Sequence, residues 1–179
     1  VLECDSFRAA VRATPALRFN VLLDESDNKA EVLSRGLRWL IRHCRHPDDA
    51  ADLVEFAIDR QGGRVYHAAL LQSACPEGWI EVVQESASRC AYRMRGTREW
   101  TWSFEVEAES RHFTVALASM IAKYVREVVM LQFNRFWQRH VPNLKSTAGY
   151  PGDAARYFAQ IQTIMRRLGI EERCVWRRK

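Results

Sequence analysis

The chain of 179 residues carries a net charge of +5 and a pI near 9.1, with 47% hydrophobic and 27% charged residues. That is enough apolar material for one domain with a core and excludes wholesale disorder; the basic balance permits a polyanionic partner without requiring one. The longest apolar runs, such as Val128-Val129-Met130-Leu131, are too short to span a membrane.

The N-terminus, Val1-Leu2-Glu3-Cys4-Asp5, has neither the basic region nor the apolar core of a signal peptide, and no initiator Met. A fragment or a processed form is expected. Five scattered cysteines (Cys4, Cys44, Cys75, Cys90, Cys174), none in C-x-x-C spacing, disfavour a disulfide scaffold and a zinc site. A reducing cytoplasm is the expected compartment.

Residues 1–27 carry a weak pattern. Phe7, Ala10, Val11 and Leu17 are candidates to pack, Pro15 interrupts any long helix, and Val21-Leu22-Leu23 is a short run of ambiguous type. Asn28 and Glu31 fit a capping box, followed by Leu33, Leu37, Leu40, Ile41 and Cys44 on one helical face. Pro47 with Asp48-Asp49 marks a loop. Leu53–Ile58 is apolar except for Glu55 and ends abruptly in Asp59-Arg60-Gln61-Gly62-Gly63, as a buried strand leaving a sheet does. Val65, Tyr66, Ala69 and Leu70 predict a short helix up to Pro76, and Trp79–Glu85 a second strand. Strand, helix and strand in this order predict a βαβ unit with parallel pairing.

Arg89–Met94 and Glu99–Glu107 alternate polar and apolar about Gly96-Thr97, which predicts a β-hairpin. Its second arm places Glu99, Thr101, Ser103, Glu105 and Glu107 on one face, opposite Trp100, Trp102, Phe104 and Val106. Thr114–His140 is the longest helical pattern, striped by Ala118, Ile121, Val125, Val128, Val129, Phe133, Phe136 and Trp137, and Pro142 ends it. Asp153–Leu168 forms a last helix with Tyr157, Phe158, Ile161, Met165 and Leu168 inward and Gly169 as its stop. Cys174–Lys179 is a basic tail.

Four features carry chemistry. Asp59 stands at the C-terminal end of an apolar strand, the edge where open α/β sheets place their sites. Gly62-Gly63 permits close backbone approach and Arg60 and Arg64 add positive charge; a turn or cap Asp beside solvated arginines has the same signature. Glu105, Glu107 and Glu109 form an acid series that suits hard Mg²⁺ or Mn²⁺, although for Glu105 and Glu107 the solvated face of a hairpin is the favoured reading. Ser119, Lys123 and Arg126 fall at i, i+4 and i+7 on one helical face. Lys145-Ser146-Thr147-Ala148-Gly149-Tyr150-Pro151 combines a cation, hydroxyls, Gly and an aromatic, which suits a sugar-phosphate with a stacked nucleoside, or is simply a loop between helices.

The order of these pieces is informative. Ala118-Ser119-Met120-Ile121-Ala122-Lys123-Tyr124-Val125-Arg126-Glu127, followed by Thr147-Ala148-Gly149-Tyr150-Pro151-Gly152-Asp153, resembles the C-terminal half of type 2 ribonuclease H over about residues 53–168. In that family an acid precedes an Ala-Ser-x-x-Ala-Lys-x-x-Arg-Asp helix, a Gly-Tyr-Pro loop comes later, and an earlier strand ends in a catalytic Asp. Asp59-Arg60-Gln61-Gly62-Gly63-Arg64 looks like a divergent bacterial branch.

The resemblance implies a single α/β domain over 1–179, RNase H-like, with a mixed sheet flanked by helices. It implies a metal-dependent endoribonuclease that cuts the RNA strand of RNA–DNA duplexes, or a single ribonucleotide in DNA, with Mg²⁺ or Mn²⁺ in a two-metal site. Asp59 and Glu109 would be the third and fourth acids and metal ligands. Arg60, Arg64, Lys123, Arg126 and Lys145 would lie near phosphates, with Tyr150 against the ribose. Glu109 stands where the family has Asp, and Glu127 follows Arg126 where it has Asp. The family's opening strand, with its Asp-Glu pair, has no match. Asp24-Glu25 is the only adjacent pair of that kind near the start, so an upstream pair and the first sheet strands are expected to be missing. A binding module of the same fold without catalysis, and an interaction or structural domain, are the other classes left open.

Overall fold

The computed structural model describes residues 8–45, 53–60, 64–96 and 98–178. Phe7, Pro47, Asp48-Asp49, Gly62-Gly63 and Thr97 therefore lie outside the described residues. By contacts the chain divides into two units: residues 1–12 with 33–121, and residues 13–32 with 122–179. Helices α2 (Lys29–Cys44) and α4 (Phe113–Gln138) contribute residues to both.

The first unit is built on a mixed four-stranded sheet, β1 (Leu53–Asp59), β2 (Glu81–Glu85), β3 (Arg89–Met94) and β4 (Glu99–Glu105), in the order β1-β4-β3-β2. Alternation in β3 and β4 produces the expected antiparallel hairpin, with Cys90 against Phe104, Tyr92 against Trp102 and Met94 against Trp100. These six residues are all buried. Leu37 and Ile41 of α2 pack on them, as do Leu70, Leu71 and Ala74 of α3 (Ala68–Ala74), with Val54, Phe56 and Ile58 of β1 at the margin. Phe56 stacks on Trp102 and Trp100 at centroid separations of 5.8 and 6.1 Å. Burying a side chain such as Phe104 contributes roughly 1.5–3 kcal/mol, so this aromatic face is what closes the layer.

The βαβ expectation is overturned. β1 is parallel, but its partner is β4, whereas β2 pairs antiparallel with β3. Three residues join β2 to β3, and the Ser86 amide and hydroxyl both donate to the Arg89 carbonyl, at 3.0 and 2.8 Å. A local turn of this kind closes at lower entropic cost than a crossover. β2 is exposed along its whole length and Trp79 lies outside it, 80% exposed.

The second unit contains α1 (Ala16–Ser26), the rest of α4, α5 (Pro151–Arg167) and α6 (Glu172–Val175). Pro15 stands at the entrance of α1 rather than interrupting it, in the extended conformation, and its carbonyl accepts from the Phe19 amide at 2.9 Å. A proline there forfeits no helical hydrogen bond. Phe19, Leu22 and Leu23 are the buried hydrophobic residues described in this segment, while Val11 and Leu17 are exposed. Asn28 caps α2 as expected, its Oδ1 accepting from the Ala30 amide at 2.9 Å. Trp137, Leu144, Tyr157, Ile161 and Met165 form a buried cluster. Gly169, at φ +67°, ends α5, and the Ile170 amide donates back to the Met165 carbonyl at 3.0 Å. The α4 stripe is only half covered: Trp137 is buried, but Val128, Val129 and Phe136 are exposed. Leu168 is exposed too, outside the inward set expected of it.

The basic tail is docked. Buried Asn20 donates from Nδ2 to the Arg173 and Trp176 carbonyls at 2.9 and 2.8 Å, and its Oδ1 accepts from the Arg178 amide at 2.9 Å. Asp24 pairs with Arg173 and Arg178. Asp24-Glu25 therefore sits on a helix, and Asp24 is neutralised by arginines rather than standing on a strand. Among the described residues, no helix is long and apolar enough to cross a membrane.

Candidate functional site

Because β1 and β4 run parallel and in register, Asp59 opposite Glu105, both strands end at one edge of the sheet. Asp59 is the last residue of β1 and is exposed. Its Oδ1 accepts from the Ala108 amide at 3.1 Å, which ties it to the 3-10 turn Ala108–Ser110 just after β4. Glu109, also exposed, is the next residue in that turn. The structure thus brings the two sequence-selected acids to the same edge.

The acid series does not form a single cluster. Glu105 is buried and caged: Arg111 Nε lies 3.1 Å from its Oε2, and Arg89 Nε and His112 Nε2 each lie 3.3 Å from its Oε1. Burial alone would raise the carboxyl, but the hydrogen bond and charge of His112 and the charges of Arg111 and Arg89 outweigh it and hold Glu105 below the usual carboxylate range. Glu107 turns the chain at φ +55° and faces solvent. Arg93 likewise pairs with Glu81 at 3.1 Å and Glu99 at 3.7 Å. Glu99 and Glu105 on this face are thus met by arginines. Among the described residues, no group of three or more His, Cys, Asp or Glu side chains is placed to hold a metal ion.

Arg60 is engaged locally. Its amide donates to the Glu105 carbonyl at 2.9 Å, its Nε to the Arg64 carbonyl at 2.9 Å, and its Nη1 to the Ala87 carbonyl. Those bonds fasten the chain as it leaves β1. Arg64 is half-buried beside the entrance to α3.

The remaining sequence-selected residues lie in the second unit. Tyr150 caps the start of α5 and is 61% exposed, with the Arg126 guanidinium 4.4 Å above its ring. Arg126 also donates to the Ala148 carbonyl and pairs with Glu127 at 3.0 Å. Lys123 and Lys145 are exposed. The loop that presents Tyr150 and Lys145 is held rigidly by residues that sequence reasoning missed. Buried Asn134 donates from Nδ2 to the Thr147 carbonyl and accepts from the Thr147 amide, both at 2.9 Å. Gln138 donates to the Leu144 carbonyl at 3.0 Å and to Ser146 Oγ at 3.1 Å. Arg156 donates to Asp153 at 2.7 Å and reaches the Lys145 carbonyl at 3.3 Å. Bonding from Arg156 and Thr147 holds the Asp153 carboxyl below its ordinary value. Gly149 stands at φ +74°, and a Cβ there would press on Met130 at 3.3 Å. Arg126 alone among these clamps carried a sequence signal, through its i, i+7 relation to Ser119.

No family model matches the chain, and neither does any curated protein or solved structure. The arrangement therefore has to be argued from its own chemistry. One sheet edge carries two acids, and a rigid loop elsewhere presents an aromatic ring and cations.

Proposed function

We propose that the chain is the C-terminal part of a metal-dependent endoribonuclease that acts on RNA–DNA duplexes or on a ribonucleotide embedded in DNA. The observation that carries this is the tether from Asp59 Oδ1 to the Ala108 amide, which ties Asp59, at the end of β1, to the turn after β4 that carries Glu109. Their carboxylates are hard oxygen donors suited to Mg²⁺ or Mn²⁺. They supply two acids of the four the reading requires, so a complete two-metal centre needs donors from elsewhere in the protein. The metals would activate water and stabilise the leaving oxygen. The chain's own part is to hold Asp59 in place and, through Tyr150, Arg126, Lys123 and Lys145, to stack on a nucleoside and attract phosphate. A cytoplasmic location and an RNase H-like fold belong to the same proposal.

A second reading is a nucleic-acid-binding module that does not cleave. It is favoured by the absence of a third metal-ligating side chain at any acid pair among the described residues, beside a well-ordered Tyr150 loop. Cleavage of a labelled DNA duplex containing one ribonucleotide, with Mn²⁺ or Mg²⁺, separates the two. Cleavage by the chain and not by Asp59→Asn supports the nuclease. Salt-sensitive duplex binding without cleavage means either a fragment lacking its remaining acids or the module, which adding the upstream part of the protein separates, and neither activity defeats both.

A further inference from the structure

The connection from β4 to α4, residues 106–112, carries Glu109 and lies wholly in the first unit. Its middle meets β1, where the Ala108 amide donates to Asp59 Oδ1 at 3.1 Å. The direction in which Asp59 presents its carboxylate thus depends on where this turn sits. Pairing of β1 with β4 fixes the strand ends but not the turn that follows them.

The turn's own bonds are short-range. The Ser110 amide donates to the Glu107 carbonyl at 3.1 Å, and the Arg111 and His112 amides donate to the Ala108 carbonyl at 3.0 and 2.9 Å. They set its shape rather than its place. Its entrance is fastened to the neighbouring hairpin by the Val106 amide, which donates to the Ser88 carbonyl at 3.1 Å. Its exit is fastened by Glu105. That buried carboxylate has Arg111 Nε 3.1 Å from Oε2 and His112 Nε2 3.3 Å from Oε1, with Arg89 of β3 on the same oxygen. Arg111 Nη2 also donates to the Val106 carbonyl at 2.6 Å, so one guanidinium spans the connection from entrance to exit. The His112 carbonyl accepts from the Val115 and Ala116 amides at 3.0 and 3.1 Å, so the residue beside Glu105 also opens α4. Charge-assisted bonds of this kind are stronger than bonds between neutral amides.

We propose that Glu105 is the positioning residue of the acid edge. By holding Arg111 and His112 it sets the turn that carries Glu109 and offers the Ala108 amide to Asp59. Its consequence for a metal ion rests on the nuclease reading above. A metal site tolerates little displacement of its ligands, and losing an outer partner typically costs about 10- to 100-fold in metal affinity.

Amide hydrogen exchange read by NMR on the whole chain tests this, with an Mn²⁺ titration alongside. Asp59→Ala removes the acceptor and calibrates the rate of a released Ala108 amide. In Glu105→Gln the Ala108 amide should exchange about tenfold or more faster than in the parent, while the ladder amides of β3 and β4 keep parent rates. Glu107→Gln, an exposed carboxylate of the same turn, should leave Ala108 at the parent rate. An unchanged Ala108 rate in Glu105→Gln, or an equal release in Glu107→Gln, overturns the proposal. If Glu105→Gln loses ladder protection as well, Arg111→Lys decides. It keeps the charge and loses the span to Val106, so Ala108 alone should exchange faster. An unchanged Ala108 rate there, or ladder protection lost in both variants, makes Glu105 a support of the sheet only and overturns the proposal. Mn²⁺, followed by broadening of the Asp59 and Glu109 amide signals, should be needed at about tenfold higher concentration or more in Glu105→Gln. An equal midpoint in the two chains overturns the proposal. No broadening in the parent defeats the metal reading instead, and the Ala108 rates still decide the role of Glu105.

Discussion

The two units differ in charge as sharply as in architecture. Residues 13–32 with 122–179 hold 14 Lys and Arg against 8 Asp and Glu, a net of +6. Residues 1–12 with 33–121 hold 13 against 14, a net of −1, so the second unit carries more than the whole excess of the chain. The sheet unit cages Glu105 with arginines and leaves Asp59 and Glu109 outside the cage. The helical unit spends Arg156, Arg173 and Arg178 on internal pairs and still presents Lys123, Lys145 and the Arg126–Tyr150 stack. The difference teaches a division of labour: positioned acid in one unit, positive field and aromatic surface in the other. On the proposed reading, a polyanion would follow that field to the helical unit first.

The sharpest way to break this comparison is Asp59→Asn. Cleavage of the ribonucleotide-containing duplex should fall by at least about 100-fold, more than an outer partner of a metal site typically costs. Duplex affinity, read by fluorescence anisotropy, should stay within about twofold. If affinity collapsed together with cleavage, the division between the units would be wrong.

Asn20→Ala comes next, because it strikes the helical unit alone. Three hydrogen bonds join buried Asn20 to residues more than 150 positions away. Leaving two carbonyls and one amide without partners should cost about 3 kcal/mol, read as a lower midpoint in urea. The Asp59-dependent step should survive at temperatures where the variant is folded. A variant as stable as the parent would mean that the docked tail contributes nothing to the unit.

How far the sequence alone reached follows the range of the interactions involved. Period-two alternation exposed the β3–β4 hairpin, and the runs ending at Asp59 and Gly169 marked a strand and a helix, because each signal is local, but β1 is a half-exposed edge strand rather than the buried one expected. β2 was assigned the wrong partner because strand pairing is a choice among distant neighbours, and alternation does not say which. Pro15 reads as an interruption of a helix, although the same fixed φ serves equally well at a helix entrance. At the candidate site, the positions of Asp59 and Glu109 on one edge were legible from strand ends and order. The cage around Glu105 was not, because Arg89, Arg111 and His112 reach it through cross-strand register and a turn. Asn134 and Asn20 left no trace, since a buried amide has no periodic signature and its partners are backbone atoms.

Acid contrasts two groups within the sheet unit. His67 is buried and stacked 3.8 Å from Phe104. Burial first, and then the charges of Arg64 and Arg60, push it down to about 4. Its unfolded value of 6.5 is higher, so the unfolded chain binds the extra proton. Stability is therefore complete above pH 6.5 and lost as pH falls from there towards 4, by roughly 3 kcal/mol at most. Glu105 is depressed relative to 4.5, so its contribution is present above that value and lost only as pH falls below it. Urea titrations at a series of pH values should show the first loss in the parent and not in His67→Phe, which keeps the stack and removes the proton. A His67→Phe curve that still declines between pH 6.5 and 4.5 would assign the loss to another group.

The finest test lies within the Tyr150 loop, where ring and charge make different demands. Tyr150 has Arg126 over one face and is otherwise mostly exposed, so a nucleoside has a face on which to stack. Base stacking on an aromatic is worth about 1–3 kcal/mol, so Tyr150→Ala should weaken duplex binding by about 5- to 150-fold at every salt concentration. Lys145 is an exposed point charge on the same rigid loop. If it neutralises one phosphate, Lys145→Ala should weaken binding only slightly at high salt and more at low salt. The slope of log affinity against log salt should then become shallower by about one. Because Asn134 and Gln138 hold the loop backbone from α4, neither substitution should displace the other residue. The two effects should therefore add in the double variant. A slope unchanged by Lys145→Ala, with Tyr150→Ala still damaging, would restrict the loop to stacking and move the phosphate contacts to Lys123 and Arg126 on α4.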